Sequence, residues 1–152
     1  YGAGIALANK LKNKKNFTLV LMGDAECTAG SIWEAANFSS YHKLNKLIAI
    51  IDFNQIGATE RIESFTDLTA FKSKWESFGW YVIELDDGND IRQILSAYIK
   101  ASQSQFKPTL IIANTVKGKG IKMLENDPIW HTKQIDDSNY HQAMRELIKS
   151  YK

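Results

Sequence analysis

Disulfide chemistry is the first thing this chain lacks. Its one cysteine, Cys27, excludes an internal disulfide and fits a reducing, cytoplasmic setting. A lone thiol could act as a nucleophile, but the burial habit of cysteine favours inert packing. No apolar run approaches the roughly 20 residues that a membrane-spanning helix needs, and no secretory leader is visible. The net charge is only +2, and the charges are scattered, which argues against nucleic acid or a membrane surface as a partner. There is no Walker A loop, because Lys117-Gly118-Lys119-Gly120 lacks the Gly-x₄-Gly-Lys-Ser/Thr spacing. Repeats and linkers are absent too. What remains is 152 residues, 44% apolar and 24% charged, enough for one soluble domain over 1–152 with a single core. The chain opens on Tyr1, directly in helix-like sequence, so a preceding N-terminal segment is expected.

Apolar runs and helical periods alternate along the chain. Strands are expected over 17–22, 47–52, 80–85 and 109–116, each rich in Val, Ile or Leu in the manner of strands buried on both faces. Between them lie helical patterns. In the first, Tyr1-Gly2-Ala3-Gly4 leads into Ile5, Ala6, Leu7, Ala8 and Leu11, small and apolar at helical spacing, and the helix ends in the polar run 12–16. The second runs over 32–43 behind a Thr28–Ser31 capping stretch, with Ile32, Ala35, Ala36, Phe38 and Leu44 turned inward. Leu68, Phe71, Trp75 and Phe78 make a third, stopped by Gly79. After a turn and cap at 86–89, Ile91, Ile94, Leu95, Tyr98 and Ile99 fit the helical template fully. A last helix over 138–151 shows Tyr140, Met144, Leu147, Ile148 and Tyr151 on one face. Two stretches, 55–66 and 118–136, read as long loops, often a functional sign. The four tryptophans are expected in the core, and His42 and His141 on the surface. Together these elements predict an α/β fold, a doubly wound parallel sheet with helices on both faces.

In such sheets ligands gather beyond the carboxyl ends of the strands. Two strand ends carry chemistry: Gly23-Asp24-Ala25-Glu26 and, about thirty residues on, Asp52-Phe53-Asn54-Gln55-Ile56. Asp24 and Asn54 should reach one rim of one sheet. A carboxylate and an amide oxygen are hard ligands, suited to Mg²⁺ bound together with phosphate oxygens.

These two motifs resemble transketolase. So do Gly30-Ser31-Ile32-Trp33-Glu34-Ala35-Ala36, the run 41–47, Glu76-Ser77-Phe78-Gly79-Trp80, Lys117-Gly118-Lys119-Gly120-Ile121 and Trp130-His131. The likeness covers almost the whole chain, in order. A Gly-Asp-Gly followed about thirty residues later by Asn is that family's thiamine diphosphate (ThDP) signature. The resemblance implies the diphosphate-binding (PP) domain of a transketolase-type transferase, which moves a two-carbon ketol unit between sugar phosphates. It implies ThDP and Mg²⁺ as cofactors, with Ca²⁺ or Mn²⁺ as substitutes, held by Asp24, Asn54 and the Ile56 carbonyl. Main-chain groups from Gly23 to Glu26 would border the diphosphate, and Lys117 would approach it as a point charge. His131 would line the cofactor and substrate channel and handle substrate protons. Glu34 would join an acidic network across a dimer interface. The family's pyrimidine-binding (PYR) domain is not in this chain, so a PYR domain or subunit is the expected partner, in a homodimer or a heterotetramer.

Two residues depart from the family pattern. Ala25 stands where the family has Gly; if the position needs a positive φ, strain of about 1–2 kcal/mol follows. Ala29 stands where the family has Glu, which removes one member of the acidic network. Two other readings therefore stay open. One is a transketolase-like relic, non-catalytic or regulatory; the other is a ThDP synthase of the deoxyxylulose-phosphate type.

Overall fold

Each apolar run becomes a strand of one parallel sheet. The computed structural model describes residues 1–58, 60–64 and 66–150, Ser150 by its backbone alone. The strands are β1 (Thr18–Gly23), β2 (Leu47–Phe53), β3 (Tyr81–Leu85) and β4 (Thr109–Asn114), in the order β1-β2-β4-β3. The helices are α1 (Gly2–Leu11), α2 (Gly30–Tyr41), α3 (Phe71–Ser77), α4 (Ile91–Ser102) and α5 (Asp137–Ser150). From β1 the chain steps through α2 to its neighbour β2, then through α3 to β3, two places on. It returns through α4 to β4, which fills the gap. Since parallel crossovers are right-handed, the two outward steps and the one return step place their helices on opposite faces. The doubly wound expectation holds.

Alternation along the strands divides the core accordingly. Leu47, Ala49, Ile51, Leu110 and Ile112 face α1, α2 and α3, where they pack with Ala6, Ala36, Phe71 and Trp75. Ile48, Ile83, Leu85, Ile111 and Ala113 face α4 and meet Ala97 and Ala101. This second face is the more thinly covered of the two, and at the β1 edge Leu19 and Leu21 stay 52% and 73% exposed.

Helix faces differ from their expected stripes in three places. On α2 the buried residues are Ala36 and Ser39, while Ala35 and Phe38 are exposed. Ser39 can be buried because its hydroxyl donates to the Ala35 carbonyl at 2.7 Å. Phe38 instead lies against the His42 ring at 4.3 Å. On α4 small residues, Ala97 and Ala101, meet the sheet, and Ile91, Leu95 and Ile99 point outward. On α5 it is Ala143 that is buried, with Tyr140, Met144 and Ile148 exposed; Tyr151 lies outside the described residues.

Caps differ as well. Ala29 occupies the N-cap of α2 without a side-chain bond, and Thr28 donates back to the Ala25 carbonyl at 2.8 Å. Asp90, not a residue of 86–89, caps α4 by accepting from Arg92 N. Gly79 ends α3 in the left-handed conformation at φ +86°, as a C-terminal glycine does. Trp75 and Trp80 are buried and Trp33 packs against them, but Trp130 is half-buried in the final loop. The 55–66 loop contains a bridge between Ile56 and Arg61 and a short turn at Ile62–Ser64; its Thr59 and Phe65 lie outside the described residues.

Candidate functional site

Parallel pairing aligns Gly23 with Asp52 and Asp52 with Ala113, so three strand ends open on one rim. The first delivers Asp24. Its side chain accepts from Ala25 N at 2.8 Å and from Gln55 N at 2.5 Å, and its own N–H donates to the Asp52 carbonyl at 3.3 Å. Asp24 is 2% exposed. Burial pushes its carboxyl above the usual carboxylate range; the two N–H donors oppose this and the Asp52 charge adds to it. The ion pairs among the described residues, Lys72–Glu84 and Arg92–Asp90, both lie elsewhere. A buried carboxylate without an ion-pair partner is destabilised in its charged form, and a bound cation would relieve that.

The second strand end delivers Asn54. Its Oδ1 accepts from Ile56 N at 2.9 Å and its Nδ2 donates to Asp52 Oδ2 at 3.0 Å. The turn between them needs Gln55 in the left-handed region, at φ +62°. That conformation aims the Gln55 N–H at Asp24. Ile56 is buried, and the Gln55 carbonyl accepts from Ile62 N at 3.0 Å, closing the base of the loop. Asp24 and Asn54 thus follow the ends of adjacent strands, linked through the Gln55 N–H that Asp24 accepts.

The third strand end delivers Thr115 and Lys117. Thr115 Oγ1 donates to Asp52 Oδ1 in a short hydrogen bond. Lys117 Nζ lies 3.2 Å from His131 Nδ1. An ammonium has no acceptor, so in a hydrogen bond between the two Lys117 donates and Nδ1 accepts. His131 reaches this position through the Pro128–His131 turn, whose first N–H is capped by Asp127. Gly118, at φ +73°, allows the chain to pass Leu124, whose carbonyl an added Cβ would meet at 2.5 Å.

Asn54, Asp52, Thr115 and Lys117 line one cavity of about 610 Å³ on the α4 side of the sheet, with Asn89, Tyr98 and Ile111. Asp24 lines another, of about 430 Å³, with Cys27, Thr28, Trp33 and Lys74. Glu34 lies exposed on α2, away from both linings. Gly23 N–H is already taken by Glu26 Oε1 at 2.9 Å. Ala25 is not among the residues with positive φ, so its Cβ causes no left-handed strain. Cys27 is buried, and its thiol is pushed up to about 12, first by burial and then by the Asp24 and Glu26 charges. That suits packing, not nucleophilic attack.

Sequence reasoning assigned no role to Asp52 or Thr115. For Asp52 a signal existed: residues two apart on an extended backbone share a side, and an acid closing a buried strand two places before Asn54 is seldom idle. Thr115 had no comparable signal. Among the described residues there is no cluster of three or more His, Cys, Asp or Glu fit for a metal. A set of one carboxylate, one amide oxygen and one main-chain carbonyl would not form such a cluster, and its donors are those that Mg²⁺ prefers.

Comparison with known proteins gives a consistent picture. The chain is 36% identical over 146 residues to an apulose-4-phosphate transketolase subunit of Phocaeicola vulgatus, covering 96% of this chain and 52% of that protein. It is 34% identical to a 6-deoxy-6-sulfo-D-fructose transketolase subunit of a Clostridium species, covering 96% of this chain and 53% of that one. The chain therefore spans about half the length of these curated relatives. The crystal structure of transketolase from Campylobacter jejuni superposes with a TM-score of 0.89 at 26% identity, over 96% of this chain and 24% of that one. A family model described as transketolase, thiamine diphosphate binding domain, matches residues 7–148. By that match, which takes in both strand-end motifs and the Lys117–His131 pair, the chain belongs to the transketolase thiamine diphosphate binding domain family.

Proposed function

We propose that residues 1–152 form the diphosphate- and Mg²⁺-binding domain of a transketolase-type enzyme. The enzyme transfers a two-carbon ketol unit between sugar phosphates and needs a separate PYR domain or subunit. The observation that carries this reading is the Asp24 carboxylate, 2% exposed, with Asn54 at the adjacent parallel strand end. In this reading Asp24, the Asn54 amide oxygen and the Ile56 carbonyl would hold Mg²⁺, with Ca²⁺ or Mn²⁺ as substitutes. Bound ThDP would supply the carbon–carbon chemistry through its thiazolium ring. The chain's own residues would bind and orient. The metal would offset diphosphate charge, Lys117 would add a point charge, and Glu26 would release Gly23 N–H to a diphosphate oxygen. His131 would exchange protons with substrate hydroxyls.

Exposed apolar side chains support a partner. Leu19 and Leu21 at the β1 edge and Leu95 and Ile99 on α4 are all more than half exposed. We read the assembly as a homodimer or a heterotetramer with PYR subunits, Glu34 lying at its interface. The single buried Cys27 supports a cytoplasmic setting. The non-catalytic reading loses one of its two supports, since Ala25 is unstrained. It keeps the other, Ala29, exposed at the start of α2 with no side chain to join Glu34.

Calorimetry of ThDP with Mg²⁺, with and without a PYR-domain partner, tests the binding claim. Metal-dependent binding is expected, followed by ketol transfer once the partner is added. Persistence of that binding in Asp24→Ala would show the site to be misplaced. Binding without turnover, rescued by Ala29→Glu, would favour the relic.

A further inference from the structure

Asp52 is a rim carboxylate that no ligand role claims, and it is held on both oxygens. Oδ2 accepts from Asn54 Nδ2 at 3.0 Å and Oδ1 accepts from the Thr115 hydroxyl. An asparagine amide is nearly symmetric in shape, and a half-turn exchanges its oxygen for an NH₂ group. Only the oxygen can face a cation. A carboxylate is acceptor-only, so Asp52 draws the NH₂ to itself and sends Oδ1 to the opposite side. There Oδ1 accepts one N–H, from Ile56, and keeps its second lone pair. Thr115 sits at the end of β4, its N–H donating to the Phe53 carbonyl at 3.3 Å. Its hydroxyl therefore braces Asp52 from a third strand end, two residues before Lys117.

We propose that Asp52, braced by Thr115, is a positioning residue that sets the orientation of the Asn54 amide for a divalent cation. The proposal rests on the metal-binding reading above. The pair never touches the cation. It removes the alternative amide orientation and ties that choice to the strand from which the Lys117 loop departs. Partners of this kind typically tune metal affinity by about 10–100-fold.

The test is Mn²⁺ binding with inorganic pyrophosphate, followed by electron paramagnetic resonance on the chain assembled with its PYR partner. Asp52→Ala should weaken Mn²⁺ by about 10–100-fold. Asp52→Asn can offer Asn54 either its oxygen or its NH₂, so the competent amide orientation should be about half populated and affinity should stay within about threefold. Thr115→Val, which keeps shape and loses the brace, should fall between them and serves where Asp52→Ala does not fold. In the metal-free protein the Asn54 side-chain N–H groups should exchange with water faster in Asp52→Ala and Thr115→Val than in Asp52→Asn. Unchanged Mn²⁺ affinity in Asp52→Ala, or equal losses in Ala and Asn variants of matched thermal stability, would overturn the positioning role. Failure of the unsubstituted protein to bind Mn²⁺ would instead overturn the metal-binding reading, and the positioning role with it.

Discussion

The rim has two halves, and they are built differently. Around Asp24 and Asn54 every polar side-chain atom is engaged: both Asp24 oxygens, both Asn54 heteroatoms and both Asp52 oxygens have partners, main-chain N–H groups prominent among them. Around Lys117 and His131 the side chains pair with each other, at 3.2 Å, and His131 is exposed. One half is tied down by main-chain groups; the other is joined by a single side-chain contact. A half fixed by backbone contacts suits a cation, whose ligand geometry tolerates little error. An exposed half carrying a lysine suits groups that arrive and leave, such as a phosphate or a substrate hydroxyl.

Asp24→Ala attacks the fixed half most directly. It should lower metal-dependent ThDP affinity by more than about 100-fold, beyond the range for residues outside the ligand set, as calorimetry would show. His131→Ala attacks the exposed half and should separate binding from turnover. Turnover with a PYR partner should fall by about 100-fold, the lower end for a lost proton donor or acceptor, with ThDP affinity nearly unchanged; a matching loss of affinity would blur the contrast. Lys117→Met should weaken ThDP by about tenfold, the worth of one charge-assisted contact, and less at high salt because the group is only half-buried.

Acidity offers a finer probe of the fixed half. The Asp24 carboxyl titrates above its ordinary value of 3.8 because it is buried. A raised carboxyl favours the fold below the unfolded value, and that contribution is lost as pH rises through the folded one. A bound dication reverses the balance by stabilising the charged form. The rise in Tm caused by Mg²⁺ should therefore be larger at about pH 7 than at about pH 4. The smallest effect concerns Cys27: with its thiol pushed up to about 12, it should react with a thiol reagent only as fast as the fold opens, in the presence or absence of Mg²⁺.

Much of this was readable in the chain. Strand positions followed from unbroken Val, Ile and Leu runs, because a strand covered on both faces must be apolar throughout. The placing of Asp24 and Asn54 at adjacent strand ends followed from the parallel sheet those runs imply. Helix orientation was harder to read. A period detects an apolar stripe but not which residues within it can approach a sheet; on α4 the alanines did, and the larger Ile91, Leu95 and Ile99 were left outside. The Lys117–His131 contact depends on a loop path fixed by Gly118 and the Asp127-capped turn, which no period encodes. Thr115 was invisible for a similar reason. Its role comes from β4 lying next to β2, a consequence of the return step through α4.

The left-handed turn at Gln55 carries one more consequence. Holding a residue in a single backbone well costs about 1–2 kcal/mol of entropy, and a left-handed non-glycine residue adds strain of similar size. Here Asp24 and Asn54 offset that cost themselves, by accepting the N–H groups of Ala25, Gln55 and Ile56. The groups proposed to grip a ligand are also the groups that shape their own loop. An incoming ion would thus meet a socket whose ordering was completed during folding, and arrival would demand dehydration of the ion far more than rearrangement of the protein.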